Sequence, residues 1–233
     1  MPHGALSLIF IPVAAAFLGA IIATWRRPGP QTFSAVQHFA AGVVFAAAAG
    51  ELLPNLIHQR SVIGTVVGGA GGVIAMLAIK SIAAKAEGPI SLLAVIAVDV
   101  LIDGLVLGIG FASGERAGLL LTVALTIELL FLALPVSAAL QGANIKRPQI
   151  ILAALGLALL LPLGALLGSP VAALSGEWIA GLFAFGLMAL LYLVTEELLA
   201  EAHETPDKPW ITAMFFFGFL LLIVIDELAP LSS

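Results

Sequence analysis

The chain has no cysteine and one tyrosine among 233 residues, and only 10% of it is charged. The first absence excludes disulfides and thiolate-bound metal, so any metal chemistry must rest on carboxylates and histidines. The scarcity of charge excludes an ordinary soluble domain, in which about 25% of residues are charged. Nine Lys and Arg against fourteen Asp and Glu leave a net charge of −5 and no basic surface for nucleic acid. What remains is apolar. Hydrophobic residues make up 61% of the chain, in eight stretches at roughly 5–25, 34–57, 62–83, 90–112, 117–140, 149–168, 177–198 and 209–230, each near the roughly 20 residues a helix needs to cross a bilayer. Their length and Leu/Ala/Gly content specify helices, since barrel strands alternate over about ten residues. The chain reads as an all-α, polytopic membrane protein with one transmembrane domain over residues 1–233 and the lipid bilayer as its solvent.

The first span lacks a charged leader and runs into "ATWRRPGPQ" without a cleavage site, so it reads as a retained helix. Basic residues orient the chain. Arg26, Arg27, Lys80, Lys85, Lys146, Arg147 and Lys208 fall in odd-numbered loops, and only Arg60 and Arg116 in even ones. That asymmetry puts the odd loops in the cytoplasm and both termini outside. Short loops and compact length point to a bacterial inner membrane, a cell membrane crossed many times.

Small residues in "GTVVGGAGG" (64–72), and Gly104 with Gly108, offer faces for close helix packing. Pro54, Pro135 and Pro162 remove backbone donors inside spans, where a kink or break can line a cavity. "FAAGVVFAAAAGELLPNLIH" (39–58) echoes "FAFGLMALLYLVTEELLAEAH" (183–203) with a two-residue offset, in spans that cross in opposite directions. An inverted repeat relating spans one to three with six to eight, around a central pair, would produce this echo, and so would convergent membrane composition.

Carboxylates inside a membrane are expensive and mark function. Asp99 and Asp103 in "AVDVLIDGLVLGIG" are four residues apart and share a helix face. Counted from the span ends at ~1.5 Å per residue, they lie roughly 13 to 20 Å deep from one side, and Glu128 roughly 16 Å from the other. The three can therefore meet at mid-membrane. Neither span holds a Lys, Arg or His near them, so a divalent metal, protons or both must compensate their charge. An all-oxygen set suits manganese, iron, magnesium or calcium and is acceptable for zinc. A second group, Glu196, Glu197, Glu201, His203 and Glu204, closes span seven. Glu196 and Glu197 fit an exit path, and Glu201 with His203 extends it; Glu201 and Glu204 also fit a solvated helix end. Near the outer side of span two, Glu51 and His58 can meet an incoming cation. Asp226 and Glu227 read as interfacial.

These residues resemble the ZIP (Zrt/Irt-like) family of divalent-metal transporters: eight spans, termini outside, "DGLVLGIGF" in span four, "IELLFLALP" in span five and "FAFGLMALLYLVTEELLAEAHE" in span seven. The resemblance implies a three-plus-two-plus-three helix bundle, a metal site between spans four and five, and an exit site low on span seven. The family's span-four motif has the form His-Asn-x-Pro-(Asp/Glu)-Gly. In "DVLIDG", Asp99 stands at the His position, Val100 at the Asn, Ile102 at the Pro, and Asp103 matches the acid before Gly104. With Pro135 fixing the alignment of span five, Glu128 matches the final acid. Ala124 and Leu125 replace a polar pair, and Ile127 a proline. A two-metal centre is thereby reduced to one all-oxygen site, which shifts preference from zinc towards manganese.

The sequence thus leads to a carrier of a divalent metal ion (zinc, manganese or iron) towards the cytoplasm. A homodimer is compatible with this reading. Two other classes fit less of it: a cation or proton sensor that binds without transport, and an intramembrane metal-dependent enzyme, for which no nucleophile constellation is present.

Overall fold

The computed structural model describes residues 3–25, 28–85, 88–174, 176–206 and 208–228. Among these every regular element is a helix, and eight helices are long and apolar enough to cross a membrane. They are α1 Ser7–Trp25, α2 Pro30–Gln59, α3 Val62–Ile82, α4 Ser91–Ser113, α5 Glu115–Gly142, α6 Arg147–Val171, α7 Gly176–Ala202 and α8 Pro209–Leu228. They coincide with the eight apolar stretches of the sequence, α2, α5 and α6 running a few residues further at each end and α7 four residues further at its C-terminal end. Arg26 and Arg27, which contribute to the orientation count, lie outside the described residues.

Local chemistry sets the boundaries. Pro30 and Pro89 open helices, where a missing N–H costs nothing. Gly114 alone joins α4 to α5, so the two helices run antiparallel side by side. The three tryptophans, Trp25, Trp178 and Trp210, sit exposed at helix ends, the depth at which amphipathic rings meet headgroups. Between those ends Val66, Ile74, Phe216, Phe217 and Leu166 are exposed, as expected of side chains facing lipid tails.

The helices pack as two sets. In one, α1 lies against α5 and α4 against α6, with α4 also on α5. In the other, α3 lies against α7 and α2 against α8. Exchanging α1 with α6, α2 with α7, α3 with α8 and α4 with α5 turns each of the four main pairs into another, as an inverted repeat requires. Small residues make these contacts possible. A Cβ on Gly104 or Gly108 of α4 would overlap the carbonyls of Leu161 or Ala165 on α6, and one on Gly164 or Gly168 those of Leu101 or Leu105. Gly64, Gly68 and Gly72 approach α7 in the same way, so both glycine faces marked in the sequence are packing faces. Between the sets, the corresponding contact at Gly186 is with the side chain of Val106. Among the described glycines, close backbone approach occurs within each set.

The prolines act differently from one another. Pro54 follows a π-helical turn, Ala48–Leu52, in which the Leu53 N–H donates five residues back to the Ala48 carbonyl. Pro162 cannot donate to Ala158, and α6 is interrupted at Leu159. Pro135 sits inside an unbroken helix. A second π-helical turn, Val194–Leu198 in α7, has no proline after it, and nothing in the local sequence explains it. The two turns carry Glu51, and Glu196 with Glu197, in the two segments that echo each other.

Candidate metal centre

Gly114 decides how the carboxylates meet. Asp103 and Asp99 precede it by eleven and fifteen residues, and Glu128 follows it by fourteen. At ~1.5 Å of rise per residue, Glu128 falls between the levels of the two aspartates. The contact of α4 with α5 turns the three side chains towards one another. One oxygen from each of Asp99, Asp103 and Glu128 lies within 4.8 Å of the other two. The centre of an equilateral triangle of that side is about 2.8 Å from each corner, so a small contraction reaches metal–oxygen distances of about 2.0–2.6 Å.

All three residues are buried, at 5%, 2% and 3% exposure. Asp103 Oδ2 and Glu128 Oε2 have no hydrogen-bond partner. The neighbouring hydroxyls do not relieve them: Thr122 and Thr126 of α5 donate to the carbonyls of Gly118 and Thr122 on their own helix. The two ion pairs found among the described residues lie elsewhere, Lys80 with Glu196 at 2.7 Å and Arg116 with Asp226 at 2.6 Å. Buried carboxyl groups without a counter-ion are costly unless a cation or protons join them. The arrangement therefore has the chemistry of a small, dry, oxygen-only cation site.

A cavity of about 30 Å³, lined by Gln37, Asp99, Glu128, Glu197, Glu201 and three leucines, leads from the cluster to the end of α7. Glu197 is near enough for its charge to act on all three cluster residues. Towards the other end of the bundle Ala48, Leu52, Leu107, Leu121, Leu125 and Leu190 are all within 2% of complete burial and belong to one apolar cluster, an apolar seal to a hydrated ion. The cavity lies between the two helix sets, with the carboxylate cluster on one wall and α2 and α7 on the other.

The other residues singled out in the sequence divide. Glu197 and Glu201 line the cavity, whereas Glu196 is exposed and paired to Lys80. His203 stands off that wall, its ring edge-on to His38 at 5.1 Å between centroids. Glu51 is half-buried on the far side, near the Arg116–Asp226 pair, whose charges act on it. His58 is exposed, its Nδ1 bonded to the Pro54 carbonyl at 2.8 Å. Two features escaped sequence reasoning. Asp226, read as interfacial, is tied to Arg116 beside Glu51. Gln37 forms part of the cavity wall, and its only signal was a polar amide among the apolar residues of the second span.

No family model matches the chain. A curated protein, zinc transporter ZIPB of Bordetella bronchiseptica, is 30% identical to it over 127 residues, a match covering 53% of this chain and 40% of that protein. The chain thus spans less than half the length of the relative it matches.

Proposed function

We propose that this multi-pass membrane protein is a divergent ZIP-family carrier that moves a divalent metal ion across the cell membrane towards the cytoplasm. The observation that carries this reading is the cluster of Asp99, Asp103 and Glu128, three buried carboxyl groups within coordination reach of a common point. The relative's name, a zinc transporter, supports metal as the cargo and favours zinc. The oxygen-only donor set favours manganese or iron, and uptake of each ion decides between them.

In this reading Glu51 and His58, with Asp226 beside Glu51, meet the cation on the outer side. Asp99, Asp103 and Glu128 hold it after it sheds water. Glu197 and Glu201 receive it on the cytoplasmic side, and Glu196 and His203 flank its departure. The cavity towards Glu197 and Glu201, with the apolar seal beyond the cluster, corresponds to the inward-facing state of an alternating-access cycle. A three-plus-two-plus-three repeat would have the central pair, α4 and α5, move alone. The packing instead ties α1 to α5 and α6 to α4. We therefore assign the motion to these four helices together, sliding against α2, α3, α7 and α8 and carrying the carboxylate cluster across the apolar seal.

The test is uptake of Zn²⁺ and Mn²⁺ into proteoliposomes. Asp103→Ala and Glu128→Ala each abolish it. Undiminished uptake in both variants would rule out this site. Metal binding measured on the same preparations separates a carrier from a sensor, since a sensor binds without flux.

A further inference from the structure

Arg116 stands where two rules disfavour a cation. It lies in the first turn of α5, which begins at Glu115, and a positive charge there opposes the helix dipole. With Arg60 it is also one of the two basic residues in the even-numbered loops, against the asymmetry of the other seven. Its partner lies on another helix. Arg116 Nε donates to Asp226 Oδ1 at 2.6 Å, and Nη2 to the Asp226 carbonyl at 3.5 Å. That carbonyl belongs to the last turn of α8, where no intrahelical N–H remains to pair it. The guanidinium thus holds the end of α8 from across the boundary between the two helix sets.

Crossing that boundary sets the pair apart. The interhelical hydrogen bonds of Ser34 and Gln37 join α2 to α7, that of Lys80 joins α3 to α7, and that of Gln141 joins α5 to α1, each within one set. Arg116 with Asp226 joins α5 of one set to α8 of the other. Elsewhere the sets meet through apolar side chains, as Val106 does against Gly186. Such contacts can re-form after a slide, whereas a hydrogen-bonded ion pair holds one register.

We propose that Arg116 is a gating residue, and that its pair with Asp226 latches the outer ends of the two helix sets together in the inward-facing state. This rests on the carrier reading, since a latch acts only if the sets move. Sliding of α5 with the carboxylate cluster breaks both hydrogen bonds, so the outward-facing state forms with Arg116 released. The two side chains are 44% and 32% exposed, so water screens the pair. It biases the balance between the states by about twofold to fivefold and does not lock it.

The chain has no cysteine, so Leu125→Cys, in the apolar seal, provides a single thiol that reports opening of the outer side. The full-length protein is reconstituted in vesicles, and a charged, membrane-impermeant thiol reagent is added to the outer side. Arg116→Gln and Asp226→Asn each raise the labelling rate about twofold to fivefold. Arg116→Asp with Asp226→Arg, which reverses the pair, restores the slow rate. Rates unmoved by either single change, or as fast in the reversed pair as in the single variants, would overturn the proposal. Thermal melting checks folding, and should a single variant not fold, a cross-link decides. In a chain carrying Arg116→Cys and Asp226→Cys, bridging the two thiols with a short bifunctional methanethiosulfonate stops Zn²⁺ uptake, and reduction restores it. Uptake that continues after bridging overturns the latch and leaves transport standing. Absence of uptake in the wild type, with labelling that still follows the pair, overturns transport and leaves the latch.

Discussion

Neutralising Glu128 separates the cost of the carboxylate cluster from its use. Two carboxylates no more than 4.8 Å apart repel by at least about 3.5 kcal/mol at an effective dielectric constant of about 20. Glu128→Gln removes two of the three such pairs while keeping shape and volume. Bound protons offset most of that repulsion, and a residual gain of about 1 kcal/mol already raises the metal-free melting temperature of a chain this size by about 2–4 °C. With metal the sign reverses. Zn²⁺ at a hundred times its Kd stabilises the wild type by about 2.7 kcal/mol, a rise of about 5–10 °C. Loss of one charged ligand, worth about 3 kcal/mol, weakens binding on the order of a hundredfold. The same Zn²⁺ concentration then stabilises the variant by about 0.4 kcal/mol, near 1 °C. Melting of purified protein in detergent, with and without Zn²⁺, reads both effects. A variant that melts below the wild type without metal yet keeps the full metal-induced rise would refute the reasoning.

Other expectations concern packing and access. Gly108→Leu must push α4 off the Ala165 backbone of α6 and destabilises by about 1–3 kcal/mol. Gly156→Leu, with open space around it, leaves melting unchanged, and equal effects at the two positions would refute the close-packed α4–α6 face. Because the chain has no cysteine, single introduced thiols report access without background. Leu132→Cys on the cavity wall reacts with a small charged thiol reagent, whereas Leu125→Cys in the apolar seal does not. In sealed inside-out vesicles Lys146→Cys is labelled and Gly114→Cys is protected; the reverse pattern would invert the orientation.

Much of this protein was legible in its sequence because a membrane imposes simple rules. The lack of charge and the lengths of the apolar runs identified eight helices, since a helix satisfies its own backbone wherever lipid offers no partner. The four-residue spacing of Asp99 and Asp103 placed both on one face, and counting depth brought Glu128 to their level. The glycine faces at 64–72 and at 104 and 108 were legible as packing faces, although not which helix each would meet.

Tertiary structure decided the remainder. Helical periodicity says which residues share a face, but nothing about what lies opposite that face, because in lipid an apolar surface is as well solvated by tails as by another helix. Only the packing separated Glu197 and Glu201, on the cavity wall, from Glu196, turned outward to Lys80. Only the packing joined α1 and α6 to the central pair, brought Asp226 beside Glu51, and set Gln37 across from the carboxylate cluster. The sequence by itself determined that three carboxyl groups meet in the membrane, because one helix face and one short link suffice for that. Which side they open to, and which residues line that opening, depends on contacts between helices remote in the chain.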